Sequence, residues 1–119
     1  CFLSTGTSDQ PGTYQLEVKT TTNSVSRPEF IDGQETVTLR AVRIGSSIVL
    51  LYKFPGGDWQ VRRRFNRPDM QGPLQAGLTV YTDYPAADRV PMREHNTTVL
   101  RDVGNPDLEA FVDYVRYSR

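Results

Sequence analysis

The chain holds one histidine, His95, and one cysteine, Cys1. A structural zinc site takes four ligands, drawn mostly from these two residue types, so neither residue builds one. His95 lies in Arg93-Glu94-His95-Asn96, which has the composition of a solvated loop. A Ser-His-Asp hydrolase of the nucleophile-elbow kind would show Gly-x-Ser-x-Gly, and that pattern is absent. Sugar hydrolysis needs two carboxylates, about 5–5.5 Å apart in the retaining case. Glu17, Glu29, Glu35, Glu94 and Glu109 stand singly. Glu109 and Asp113 would share a strand face, but four residues of strand separate them by ~13 Å. Catalysis is therefore not expected, and no cofactor is implied.

What remains is recognition chemistry. Trp59 follows the turn Gly56-Gly57-Asp58. Its ring offers a stacking platform for a sugar, although the commoner role of such a ring is to pack over its hairpin into the core. Tyr81, Asp83, Tyr84 and His95 form the candidate ligand-binding set. They begin at the end of a strand-like run and continue into the Pro-, Arg- and Asp-rich loop 84–105, and loops of that length often carry function. Asp83, Asp88, Asp102, Asn105 and Asp107 offer oxygen atoms for calcium. None has EF-hand spacing, so a solvated loop is the simpler reading. Asn96-Thr97-Thr98 fits a glycosylation acceptor.

Arg62, Arg63 and Arg64 are consecutive, and strand alternation sends Arg62 and Arg64 to one face and Arg63 to the other. A nucleic-acid surface would need further basic residues interleaved with aromatics. Lys plus Arg equals Asp plus Glu at 14 each, so no net field draws the chain to nucleic acid or an anionic membrane. The arginines read as a solvated, edge-protecting face. No run approaches the ~18 apolar residues of a membrane-spanning helix.

The elements that must position these residues are strands. Tyr14, Leu16 and Val18 alternate with Gln15, Glu17 and Lys19 over residues 13–20. Residues 20–30 are polar and end near Arg27-Pro28, so they read as a loop with a short strand at most. Glu35 to Ile44 alternates again, Gly45-Ser46-Ser47 turns the chain, and Ile48 to Phe54 has the continuous apolar character of a central buried strand. Gly56-Gly57 closes a second hairpin. Trp59, Val61, Arg63 and Phe65 share one face of the next strand. Leu74 to Thr82 and Leu108 to Tyr117 read as two more strands, with a short one at 97–100. No stretch keeps a 3.6-residue apolar period for ten residues. Nine glycines and eight prolines supply turns at short intervals, which favours an all-β fold.

Three segments and the chain's ending carry a resemblance. They are Val37-Thr38-Leu39-Arg40-Ala41-Val42-Arg43-Ile44-Gly45, Tyr52-Lys53-Phe54-Pro55-Gly56-Gly57-Asp58-Trp59, Leu74-Gln75-Ala76-Gly77-Leu78-Thr79-Val80-Tyr81-Thr82-Asp83, and Phe111-Val112-Asp113-Tyr114-Val115-Arg116-Tyr117. In order and spacing the set resembles the concanavalin A-like lectin/glucanase superfamily, the laminin-G-like β-sandwiches, and within it an uncharacterised bacterial secreted group. The resemblance implies an antiparallel jelly-roll sandwich over residues 1–119, or the C-terminal part of a larger domain that lacks its N-terminal strands. It also implies an extracellular or cell-surface module for glycan or protein contact. The alternative it implies is a carbohydrate-active enzyme or its accessory carbohydrate-binding module.

Cys1 has three readings: a lipid-anchored first residue, a buried strand cysteine, or one half of a bridge to another chain or an unseen segment. With Phe2 and Leu3 directly after it, the first strand starts without a lead-in. The expected partner is therefore another protein chain or an upstream segment that completes the sheet.

Overall fold

A computed structural model of the chain describes residues 1–80, 91 and 109–118. Two compact units divide it, Cys1–Leu74 and Gln75–Arg119.

The first unit is all-β. Its strands are β1 (Phe2–Thr7), β2 (Tyr14–Thr22), β3 (Val25–Asp32), β4 (Thr38–Ile44), β5 (Ser47–Lys53) and β6 (Gln60–Asn66). They form two three-stranded antiparallel sheets, ordered β1-β2-β3 and β4-β5-β6. Each sheet is an up-and-down meander in which every neighbour in space is a neighbour in sequence. The helical content described is one 3-10 turn, Pro68–Met70.

The alternation in β2 sorts its residues as the sequence requires. Leu16 and Val18 have no exposed surface, and burying an aliphatic side chain of that kind contributes about 1.5–3 kcal/mol. On the opposite face Lys19 pairs with Glu17 at 3.6 Å and lies 4.7 Å above the Phe2 ring. In β5 the continuous apolar run has a corresponding outcome: Ile48, Val49, Leu50 and Tyr52 are all buried. Val18, Ile48 and Leu50 make one core cluster across the two sheets, with Leu3, Phe65 and Met70 packed against it.

The tight turns follow their residues. Gly45 takes φ +59° between β4 and β5. Pro55-Gly56 occupies the centre of the next turn, with Gly56 at φ +71° and Gly57 N–H donating to the Phe54 carbonyl at 3.0 Å. Proline followed by a positive-φ glycine is the type II pattern.

Several sequence expectations are corrected. Residues 20–30, read as a loop, contain the end of β2 and most of β3. Asn23 and Ser24, at φ +49° and +64°, turn the chain between them as a two-residue hairpin of the primed type does. Pro28 is tolerated because β3 is the edge of its sheet, the position where a missing N–H does least harm. Residues 74–80 and 109–118, read as strands, have no regular secondary structure. Leu78, Val80, Phe111 and Tyr117 are exposed there. The expected short strand at 97–100 lies outside the described residues.

The arginine run also departs from simple alternation. A bulge between Leu50 and Leu51 pairs Leu50 with Arg63 and Leu51 with Val61, leaving Arg62 as the extra residue. Arg62 is consequently not a solvated side chain but 9% exposed.

Candidate functional site

A concavity lies at one end of the first sheet. It has a volume of about 590 Å³ and is lined by the β1–β2 loop and by the C-terminal end of β3. The loop wall holds itself in place. Ser8 N–H donates to the Thr13 carbonyl at 2.9 Å and Thr13 N–H to the Gln10 carbonyl at 3.1 Å. Gln10 N–H also donates to Ser8 Oγ at 3.1 Å, and the Ser8 and Thr13 hydroxyls bond to each other. On the far wall Gly33 N–H donates to the Tyr14 carbonyl at 2.8 Å. A Cβ at Gly33 would stand 2.9 Å from the Gln15 carbonyl carbon, so only glycine allows this approach.

The register of β2 and β3 sets what lines the floor. Gln15 lies opposite Asp32, and Glu17 opposite Phe30, so Gln15, Phe30 and Asp32 share one sheet face. Phe30 is 53% exposed, a large ring left open in a concave place. Asp32 is the one carboxylate in the lining. An open aromatic ring, a carboxylate that accepts hydrogen bonds and an amide that both donates and accepts form a recognition set. With one carboxylate they do not supply the carboxylate pair that glycoside hydrolysis commonly uses.

A second arrangement occupies the second sheet. Trp59, read as a core ring, is 40% exposed. Strand β6 begins one residue later, so the ring is not held in the β-ladder. It stands between cations instead: the Arg40 guanidinium carbon is 5.7 Å from the ring centroid and the Lys53 ammonium 5.6 Å.

The expected ligand-binding residues Tyr81, Asp83, Tyr84 and His95 lie outside the described residues, as do Asp88, Asp102, Asn105 and Asp107. Among the described residues, no group of three or more His, Cys, Asp or Glu is placed to hold a metal ion, and no helix is long and apolar enough to cross a membrane. The concavity at Phe30 was missed in the sequence because its far wall is residues 30–33: Phe30 ends the segment read as a loop, and the rest belongs to no expected element. Asn23-Ser24 was the available signal: two residues that tolerate a turn, followed by Phe30-Ile31 at strand distance.

Fold and site together define, among the described residues, an all-β arrangement of two three-stranded antiparallel sheets, with a mixed aromatic and polar concavity at one sheet end. No protein-family model, no curated protein and no solved structure matches the chain.

Proposed function

We propose that this chain is a non-catalytic, extracellular β-sandwich module that binds glycan, of the jelly-roll, concanavalin A-like kind. The observation that carries the reading is Phe30, 53% exposed in a concavity it shares with Tyr14, Gln15 and Asp32. A ligand pocket pairs apolar lining with a few placed polar groups. A sugar ring has the matching surfaces: a C–H face for the aromatic side chain and hydroxyls for the carboxylate and amide. The single carboxylate favours binding over hydrolysis. The antiparallel meanders and sparse helix support the sandwich, and the four segments that resemble the superfamily support the lectin-like reading and the cell-surface location.

The test is calorimetric titration of the full chain with a panel of neutral oligosaccharides. Binding weakened about tenfold or more by Phe30→Ala and by Asp32→Asn, with the fold unchanged by circular dichroism, is the expected result. Release of reducing sugar from any member of the panel, abolished by Asp32→Asn, would replace this reading with that of a carbohydrate-active enzyme.

A further inference from the structure

The second sheet carries six cationic side chains on its strands: Arg40, Arg43, Lys53, Arg62, Arg63 and Arg64. They divide cleanly. Arg43 donates to the backbone carbonyls of Gly45, Gln71 and Gly72, and Arg62 and Arg63 both pair with Glu29. Among the described residues, Arg40, Lys53 and Arg64 make no hydrogen bond and no salt bridge.

The strand register puts these three on one face, the face turned away from the Ile48–Leu50 side of β5. Lys53 lies opposite Thr38, Arg40 opposite Leu51, and Leu51 opposite Val61; Val49 lies opposite both Val42 and Arg64. The cations therefore occupy three successive levels of the sheet, one on each strand. Two residues of strand separate each level from the next, about 6.7 Å. No carboxylate occupies any position of this face. The nearest in sequence, Asp58, lies in the turn before Trp59 and makes no ion pair among the described residues. Between the charges the face is apolar, with Val61 46% exposed, and Trp59 bridges Arg40 and Lys53.

We propose that this outer face of β4-β5-β6 binds an acidic polysaccharide, whose carboxylates or sulfates meet Lys53, Arg40 and Arg64 in turn. The inference goes beyond the glycan reading of the first sheet and rests on other residues. Charge complementarity identifies the occupant. A chain of neutral net charge has nevertheless gathered unpaired cations on a single face, where their fields add. A flat face with evenly stepped charges suits an extended polymer with a repeated anion. Single-stranded nucleic acid is served by successive stacking aromatics, and this face has one ring, already flanked by cations.

Trp59 is the one tryptophan in the chain, so its fluorescence reports on the face directly. The full chain is titrated with polygalacturonate at low salt, with dextran, oligothymidylate and polyglutamate as comparisons, and affinities are confirmed by calorimetry. The expected result is a saturable change in Trp59 fluorescence with polygalacturonate and none with dextran. Binding falls at least tenfold in 1 M salt, where the screening length shrinks to about 3 Å. It also falls at least tenfold in the double variant Arg40→Gln, Arg64→Gln, whose fold is checked by circular dichroism. Phe30→Ala leaves it unchanged, which separates this face from the concavity. The proposal is overturned by no binding to polygalacturonate, by equal binding to dextran, by tighter binding to oligothymidylate or polyglutamate, or by full affinity in the double variant.

Discussion

Arg62 donates from Nη2 to the backbone carbonyl of Glu29 at 2.9 Å, and so ties the bulge of β6 to the edge strand of the other sheet. The bulge makes this reach available. It removes Arg62 from the alternating face and leaves its side chain 9% exposed, with Nη1 3.9 Å from the Glu29 carboxylate.

Replacing Arg62 by methionine keeps most of the apolar stem and removes the bond. A hydrogen bond to a charged group contributes about 1.5–3 kcal/mol. Arg62 Nε is buried without a protein partner, and relieving that cost offsets part of the loss. The expected net destabilisation is about 1–2 kcal/mol, read as a lower urea midpoint with an unchanged slope. An unaltered midpoint would mean that the clasp contributes nothing.

Leu50 and Trp59 should respond in opposite order of size. Leu50 is 2% exposed and sits in the shared core cluster, so Leu50→Ala is expected to cost about 2–5 kcal/mol through lost burial and the cavity left behind. Trp59 is the larger residue but is 40% exposed, and its named contacts are two cation–π pairs, each contributing about 0.5–1 kcal/mol. Trp59→Ala is expected to cost about 1–2 kcal/mol. Paired thermal melts decide the order, and a larger loss at Trp59 would return that ring to the core.

The strands legible in the sequence are those with one buried face or two. Tyr14 to Val18 alternates because Leu16 and Val18 face the core, and Ile48 to Tyr52 is continuous because β5 is central. Strand β3 was not legible because an edge strand has little core to face: of its residues only Glu29 is half-buried and all the others are exposed, and Pro28 reads as a breaker. Leu74 to Val80 shows the converse. Alternation states which residues a strand would bury, but pairing is a tertiary event, and no strand forms there. The bulge at Arg62 leaves no mark in sequence, because the extra residue is defined only against the partner strand. The site was less legible than the fold, since Gln15, Phe30 and Asp32 meet through a register that the sequence reading did not assign.

Arg67 and Asp69 predict a response to acid. Arg67 donates from Nε and Nη2 to the two Asp69 oxygens at 2.9 and 2.7 Å, and that hydrogen bonding holds the Asp69 carboxyl below its ordinary value of 3.8. A carboxyl whose folded pKa is depressed contributes stability above its unfolded pKa, and the contribution is lost as pH falls through the folded one. The contribution is therefore full at neutral pH, begins to fall as the pH drops below about 4, and is gone only below the depressed folded value. Following the Asp69 side-chain carbon by NMR should give a midpoint under 3.8, and Arg67→Gln should move it upward. An unchanged midpoint in that variant would remove Arg67 as the cause.

The β2–β3 turn offers a stabilising change. Asn23 and Ser24 both hold positive φ, at +49° and +64°. Asparagine tolerates this region because its short side chain bonds locally, but for an ordinary residue it costs roughly 1–2 kcal/mol. Glycine has no such penalty, though it gives up about 0.5–1 kcal/mol in backbone entropy. The difference favours Ser24→Gly by roughly 0.5–1 kcal/mol, and the resulting Asn-Gly pair is the preferred centre of a primed hairpin turn. The neighbouring Thr21–Ser26 hydroxyl bond, at 2.8 Å, does not involve Ser24 and is retained. The variant should melt a few degrees higher than the parent, while Ser24→Val, with a branched side chain at the same φ, should melt lower. If Ser24→Gly melts no higher and Ser24→Val no lower, the left-handed turn is not the conformation that holds β2 against β3.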